Sequence, residues 1–250
     1  MLKIEHLKKS FGGVVATADV SAHFPQDSLT AVIGPNGAGK TTFFNLISGA
    51  IPPDAGRILL AGQDISGLSS PEIVRRGIGR AFQVSKLFKT LTVEESLRGA
   101  LMSPLGKSAQ LTGRFPLSQT RDQAYEVMEQ LGLEKKAHVI SGNLSHGDQK
   151  LLDMALALVL KPKVLLLDEP VAGMGPEERE QMIETVYALW KKGGLTVVLI
   201  EHDMEIVFRV SQNIYVLSYG KVLAEGNADQ IRNNPAVIEA YLGTPQEARV

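Results

Sequence analysis

Cysteine is missing from all 250 residues. That excludes a disulfide framework and any thiolate metal centre, and it is compatible with a reducing compartment. Long apolar runs are missing as well. The longest, residues 154–160, has seven residues, where a membrane-spanning helix needs roughly 20. The chain is not expected to cross a membrane, although it can bind something that does. The opening Met1-Leu2-Lys3-Ile4-Glu5-His6 lacks an apolar h-region, so no secretory signal is expected. No charge of one sign prevails: 26 basic residues face 27 acidic ones. The basic pairs Lys8-Lys9, Arg75-Arg76, Lys135-Lys136 and Lys191-Lys192 are scattered, a poor footprint for nucleic acid. Repeats and low-complexity segments are absent. The length suits one large domain, or one core with a smaller appended subdomain.

What is present is concentrated in Gly34-Pro35-Asn36-Gly37-Ala38-Gly39-Lys40-Thr41-Thr42. This matches the phosphate-binding pattern G-x-x-x-x-G-K-[ST] at every fixed position. Ahead of it, Leu29-Thr30-Ala31-Val32-Ile33 reads as a buried strand; behind it, Phe43-Phe44-Asn45-Leu46-Ile47 reads as the start of a helix. Glycines let the backbone turn tightly enough to aim several N–H groups at one point. With the positive end of the helix, these make a seat for phosphate oxygens. Lys40 is the residue expected to reach the β- and γ-phosphates, and the Thr41 hydroxyl to ligate Mg²⁺.

Strands are read at residues 2–7, 20–24, 57–61, 78–82, 164–167 and 195–200, from alternating or continuous apolar runs. A hairpin is read at 214–217 and 221–224, turning at Tyr219-Gly220. Ser70-Pro71-Glu72 reads as a helix N-cap with proline in the first turn, and Pro176-Glu177-Glu178 as another helix start. From about residue 84 to 160 helical periodicity replaces strand signals, with helices at 93–101 and 124–131 and an exposed loop at 103–120. A short helix closes the chain at 235–242. The result is an α/β core interrupted by a mostly helical insertion. Polar residues arriving at carboxyl ends of strands are what an open α/β sheet uses at its ligand crevice.

The strand at 164–167 ends in Asp168-Glu169. An Asp placed there matches the Walker B arrangement that holds Mg²⁺. Glu169, pointing elsewhere because strand side chains alternate, is a candidate to polarise an attacking water. His6, His23 and His138 are isolated, with no zinc-like spacing, and Trp190 reads as a core residue of the helix after Pro176.

Leu144-Ser145-His146-Gly147-Asp148-Gln149, 19 residues before the Walker B strand, resembles the signature motif of ABC-type ATPases, usually written L-S-G-G-Q. Gln83 falls at that family's Q-loop position, His202 at its switch-histidine position, and Phe11 where the family stacks an aromatic ring on adenine. The resemblance spans about residues 2–243. It implies a P-loop NTPase core sheet with an N-terminal antiparallel β part and a helical subdomain at about 84–160, all within one cassette. It also implies a head-to-tail dimer in which ATP lies between one P-loop and the neighbour's signature. Asn36, Gly37, Ala38, Gly39, Lys40, Thr41 and Thr42 then cradle the nucleotide, Ser145 and Gly147 face it from the partner, Thr41, Gln83 and Asp168 organise Mg²⁺, and Glu169, His202 and Lys40 carry catalysis.

Within the family, Phe11-Gly12-Gly13, Gly79-Arg80-Ala81-Phe82-Gln83, Glu169-Pro170-Val171-Ala172-Gly173-Met174 and Tyr241-Leu242-Gly243 resemble the ATPase subunits of branched-chain amino acid and amide importers. Such a chain sits on the cytoplasmic face of the membrane with a second cassette and two permease subunits, served indirectly by a solute-binding protein. A urea or short-chain amide importer, a non-transport ABC-type ATPase and a non-catalytic nucleotide-binding adaptor are the competing expectations. Two departures stand out. His146 and Asp148 replace the middle Gly and the Gln of the signature, and a carboxylate near phosphate repels it. The stretch after Walker B, Val171-Ala172-Gly173-Met174, lacks the family's Asp.

Overall fold

The computed structural model describes residues 1–81, 87–102 and 118–242. Five strands form a parallel block: β3 (Leu29–Ile33), β6 (Ile78–Ala81), β7 (Val164–Asp168), β8 (Thr196–Ile200) and β9 (Asn213–Ser218), side by side in the order β6-β7-β8-β3-β9. Every residue of β3, β7 and β8 is buried, as expected of parallel strands covered on both faces. An antiparallel arm continues the sheet beyond β9. It comprises β10 (Lys221–Gly226), β2 (Val14–Phe24), β1 (Leu2–Phe11), β4 (Ala55–Leu60) and the short β5 (Gln63–Asp64). β10 bridges the two parts, antiparallel to β9 and parallel to β2.

The alternation of side chains along β7 divides the core into layers. Leu165 and Leu167 join a cluster with α5 (His146–Leu158) and α6 (Pro176–Lys191), through Leu152, Ala155, Met182 and Val186. Val164 and Leu166 face the other way, toward Phe43, Phe44 and Ile47 of α1 (Lys40–Ile47) and the inner face of the antiparallel arm. A third cluster packs Ile33, Ile214 and Val216 against Val207 of α7 (Met204–Val210), Ile231 of α8 (Ala228–Arg232) and Val237 of α9 (Pro235–Leu242). Truncating a fully buried leucine such as Leu166 removes contacts on a crowded face and costs about 2–5 kcal/mol.

Between β6 and β7 the described regular elements are helical: α3 (Val93–Met102), α4 (Ser118–Gln130), two short 3₁₀ turns and α5, with one isolated bridge between Thr92 and Ile140. The helix expected at 124–131 begins earlier, at Ser118, inside the stretch read as loop. The helix α2 (Ser70–Arg76) is capped one residue earlier than expected, by Ser69 in a capping box with Glu72. The hairpin of β9 and β10, in the middle of the sheet, and the closing helix lie where expected. Gln83 lies outside the described residues, as does most of the loop expected at 103–120.

Candidate nucleotide-binding site

β7, β8 and β3 are adjacent and parallel, so their carboxyl ends open onto one edge of the sheet. β3 delivers the loop from Gly34, β7 delivers Asp168-Glu169, and β8 delivers Glu201-His202 between them. Glycine is required in the loop. Gly39 has φ +98°, and a Cβ there would lie 2.2 Å from Ala16 O; one on Gly34, at φ +152°, would lie 2.1 Å from Leu217 O. Gly39 also precedes the first turn of α1, which has no side-chain cap, leaving its first N–H groups for a ligand.

A cleft of about 260 Å³ lies over this edge, lined by Val14, Val15 and Ala16, residues 36–42, Glu169 and His202. Asn36, Gly37, Ala38, Gly39, Lys40, Thr41 and Thr42 thus face one space. Lys40 folds over its own loop, donating from Nζ to Gly34 O at 2.7 Å and Pro35 O at 3.0 Å. Burial lowers its pKa, while the nearby Glu169 and Asp168 carboxylates pull the other way. Phe11 ends β1 half exposed, with Lys9 Nζ 5.6 Å from its ring centroid. Its face is available to a flat ring, although Val14 and Val15, and not Phe11, line the cleft. A larger cavity, about 620 Å³, opens on the outer flank of the loop between Pro35, Tyr219 and Glu239; it contains neither Lys40 nor the carboxylates.

Asp168 is buried and ion-paired, Oδ2 accepting from Arg80 at 2.8 Å. Arg80, on the neighbouring β6, also donates to Asn45 Oδ1 and Ser48 Oγ of the α1 segment, so one guanidinium ties the Walker B strand to the P-loop helix. Asp168 Oδ1 is buried without a hydrogen-bond partner among the described residues. An orphaned hard oxygen beside a phosphate loop suits Mg²⁺, which takes one or two carboxylates together with substrate phosphates; Asp168 and the Thr41 hydroxyl fit that donor set.

Glu169 has φ +52°, a left-handed backbone that costs a non-glycine residue about 1–2 kcal/mol. This turn swings its carboxylate off the strand direction, where Oε1 meets His202 Nε2 at 2.8 Å. Glu201, on the same segment as His202, is buried and accepts from the N–H groups of His202, Val171 and Asp203. Its carboxylate thereby laces the turn after β7 to the turn after β8. Burial raises its pKa, against those backbone donors.

The signature lies at a different place. Ser145 caps α5, accepting from Asp148 N and donating to Asp148 Oδ2 at 2.7 Å. The concern that Asp148 repels phosphate is met by Lys136, whose Nζ lies 2.6 Å from the same carboxylate. These residues and Gly147 line a separate cleft of about 320 Å³ that shares no residue with the P-loop cleft. The other replacement, His146, contacts Ala172 O at 3.4 Å. Sequence reading missed Arg80, Lys136, Lys150 and Glu201. Their partners lie on other elements, so only the fold pairs them.

A glycine loop on a parallel sheet edge, with a lysine, an Asp–Glu pair and a histidine around one cleft, defines a P-loop nucleotide-binding protein. The ABC transporter family pattern matches residues 17–172, and a pattern described as branched-chain amino acid ATP-binding cassette transporter matches residues 221–247. The chain belongs to the ABC transporter family, as an ATP-binding cassette. It is 40% identical to the high-affinity branched-chain amino acid transport ATP-binding protein LivG of Escherichia coli (strain K12), over 97% of this chain and 98% of that one. A solved ATP-binding cassette of an ABC transporter in its ADP conformation superposes with a TM-score of 0.87 at 32% identity, covering 98% of this chain and 99% of that one. A dimeric cassette in a post-hydrolysis state, bound to ADP and Pi, superposes at 0.76 with 25% identity over 91% of this chain and 99% of its own.

Proposed function

We propose that this chain is the ATP-hydrolysing subunit of an importer for branched-chain amino acids. The observation that carries the hydrolysis is the Glu169–His202 contact at 2.8 Å within the cleft that holds Lys40. Glu169 takes a proton from water as the oxygen attacks the terminal phosphorus and the bond to the β–γ bridging oxygen breaks. His202 holds the carboxylate in place through its Nε2–H. Lys40 and the loop N–H groups stabilise charge on the phosphates, which is where most of the rate gain in phosphoryl transfer arises. Mg²⁺, when bound, neutralises phosphate charge; Asp168 and Thr41 would hold it, and Gln83 is proposed as a further contributor.

The two clefts are lined by separate residues of one chain. Bringing Ser145 and Gly147 onto the phosphates therefore calls for a second cassette, head to tail. A similar cassette that is dimeric when bound to ADP and Pi supports the presence of a second cassette. Closure around a terminal phosphate and release after its loss couple the cycle to motion. No helix among the described residues is long and apolar enough to cross a membrane. Attachment to the cytoplasmic face would come through two permease subunits, fed by a solute-binding protein. The likeness to LivG and the match at residues 221–247 favour branched-chain amino acids over urea or short-chain amides as cargo.

Glu169→Gln tests the reading. Turnover should fall by about 10²–10⁴-fold, the range for losing a general base, while ATP binding survives. Steady-state ATPase rates beside equilibrium binding of MgATP give the answer; normal turnover removes Glu169 from the mechanism.

A further inference from the structure

The turn that carries Glu169 is gripped by one face of α5. Lys150 Nζ donates to Glu169 O at 2.9 Å, and His146 Nε2–H donates to Ala172 O at 3.4 Å. Ala172 N closes the turn by donating to Glu169 O at 3.1 Å, and Glu169 N donates to Ile200 O at 3.0 Å. His146 and Lys150 are four residues apart on a helix, so their side chains stand one above the other. Together they hold both ends of a four-residue turn whose first member has left-handed backbone angles.

The choice of lysine here is informative. Lys150 is buried, and an ammonium out of water is costly unless compensated. Burial lowers its pKa, and Glu201, Glu169, Asp153 and Asp168 offset this by attraction. Its ammonium donates to a backbone carbonyl, where it constrains the main chain, while the Glu169 carboxylate meets His202. The same helix begins at Ser145, inside the signature cleft.

We propose that Lys150 and His146 are positioning residues for Glu169, clamping the Glu169–Ala172 turn to the signature helix of the same chain. A partner's nucleotide pressing on the head of α5 then acts on this chain's own water-activating carboxylate. The inference rests on the reading of Glu169 as the base and of Ser145 as a contact to the partner's nucleotide. It also gives His146, a departure from the usual signature, a task that the glycine it replaces could not perform.

The test compares Lys150→Met, Lys150→Arg and His146→Ala in the purified full chain, with MgATP as the probe. Lys150→Met should lower kcat by about 10–100-fold, the scale of an ångström-sized misplacement, with KM for MgATP within about twofold. Lys150→Arg, which keeps a donor, should recover most of the rate. His146→Ala, at an exposed position, should lower kcat about two- to fivefold at unchanged KM, and it stands in if Lys150→Met does not fold. Added to Glu169→Gln, Lys150→Met should cause no further loss, because both act through one group. Undiminished kcat in Lys150→Met beside an inactive Glu169→Gln overturns the clamp alone, as does a multiplied loss in the double variant. Normal turnover in Glu169→Gln overturns the base assignment and the clamp with it.

Discussion

The P-loop edge and the signature corner are built by opposite means. At the edge, three adjacent strands and a helix converge, and the charged groups already have partners in the same chain. Lys40 rests on its own loop carbonyls, Asp168 on Arg80, Glu169 on His202. At the corner, one helix N-terminus is served by three side chains: Ser145, Asp148 and Lys136. The first is preorganised, its charged groups held in place by the chain that carries them. The second has a hydroxyl engaged by a neutralised carboxylate and no phosphate loop of its own. The difference teaches that the P-loop cleft is assembled from one chain, whereas in the proposed dimer the signature would reach it only from the neighbour.

The largest effect should come from the support beneath the edge. Arg80→Met removes the hydrogen-bonded partner of buried Asp168 and leaves only the more distant attraction of Lys40 and Lys150, which should cost about 3 kcal/mol, read from denaturant midpoints. A loss below about 1 kcal/mol would mean that water already reaches that carboxylate. Next, Lys40→Met should weaken nucleotide affinity by about 30-fold or more, the usual result of removing one member of a buried charged contact. Titration of the isolated chain with MgATP checks it. Ser145→Ala should leave that isolated-chain affinity unchanged and lower ATPase turnover about tenfold, as for loss of one hydrogen-bond donor to a charged oxygen. Equal losses of binding in both variants would erase the contrast between the two regions.

The smallest effect concerns Glu201, which sits where the two turns of the edge are laced together. Its folded pKa is raised by burial, so the ionised form is the one disfavoured by the fold. That penalty is absent below the ordinary carboxylate value of about 4 and grows as pH rises through the raised value. Glu201→Gln keeps an oxygen acceptor and removes the charge. Its melting midpoint should therefore gain a few degrees on the parent between about pH 4 and neutrality. A constant difference would mean that Lys150 fully balances the carboxylate.

The positions of the glycine loop and of Asp168-Glu169 were legible because each is a short local pattern tied to a strand end; His202 was singled out only by its place in the family resemblance, and the fold brings it beside Glu169. The parallel block was legible too, since its strands are apolar throughout. The antiparallel arm was less so: β1 and β2 run to Phe11 and from Val14, where the apolar residues Phe11, Val14 and Val15 are exposed and the stretch shows no clean alternation of apolar and polar positions. α7 and α8, with seven and five residues, are too short for a helical period to repeat. Arg80 finds Asp168 across 88 positions and Lys150 finds Glu169 across 19. No spacing rule reaches so far. Such pairs follow from strand order and helix docking.

Trp190, the sole tryptophan, is nearly buried in α6 and donates from Nε1 to Asp27 O at 2.7 Å, with Tyr187 5.4 Å from its ring. It lines neither the phosphate cleft nor the signature cleft. Its emission should therefore follow the docking of α6 onto the sheet, free of direct contact with a ligand in either cleft. Once absorption by free nucleotide is corrected for, a ligand-dependent shift in its unfolding midpoint reports stabilisation of the fold by binding.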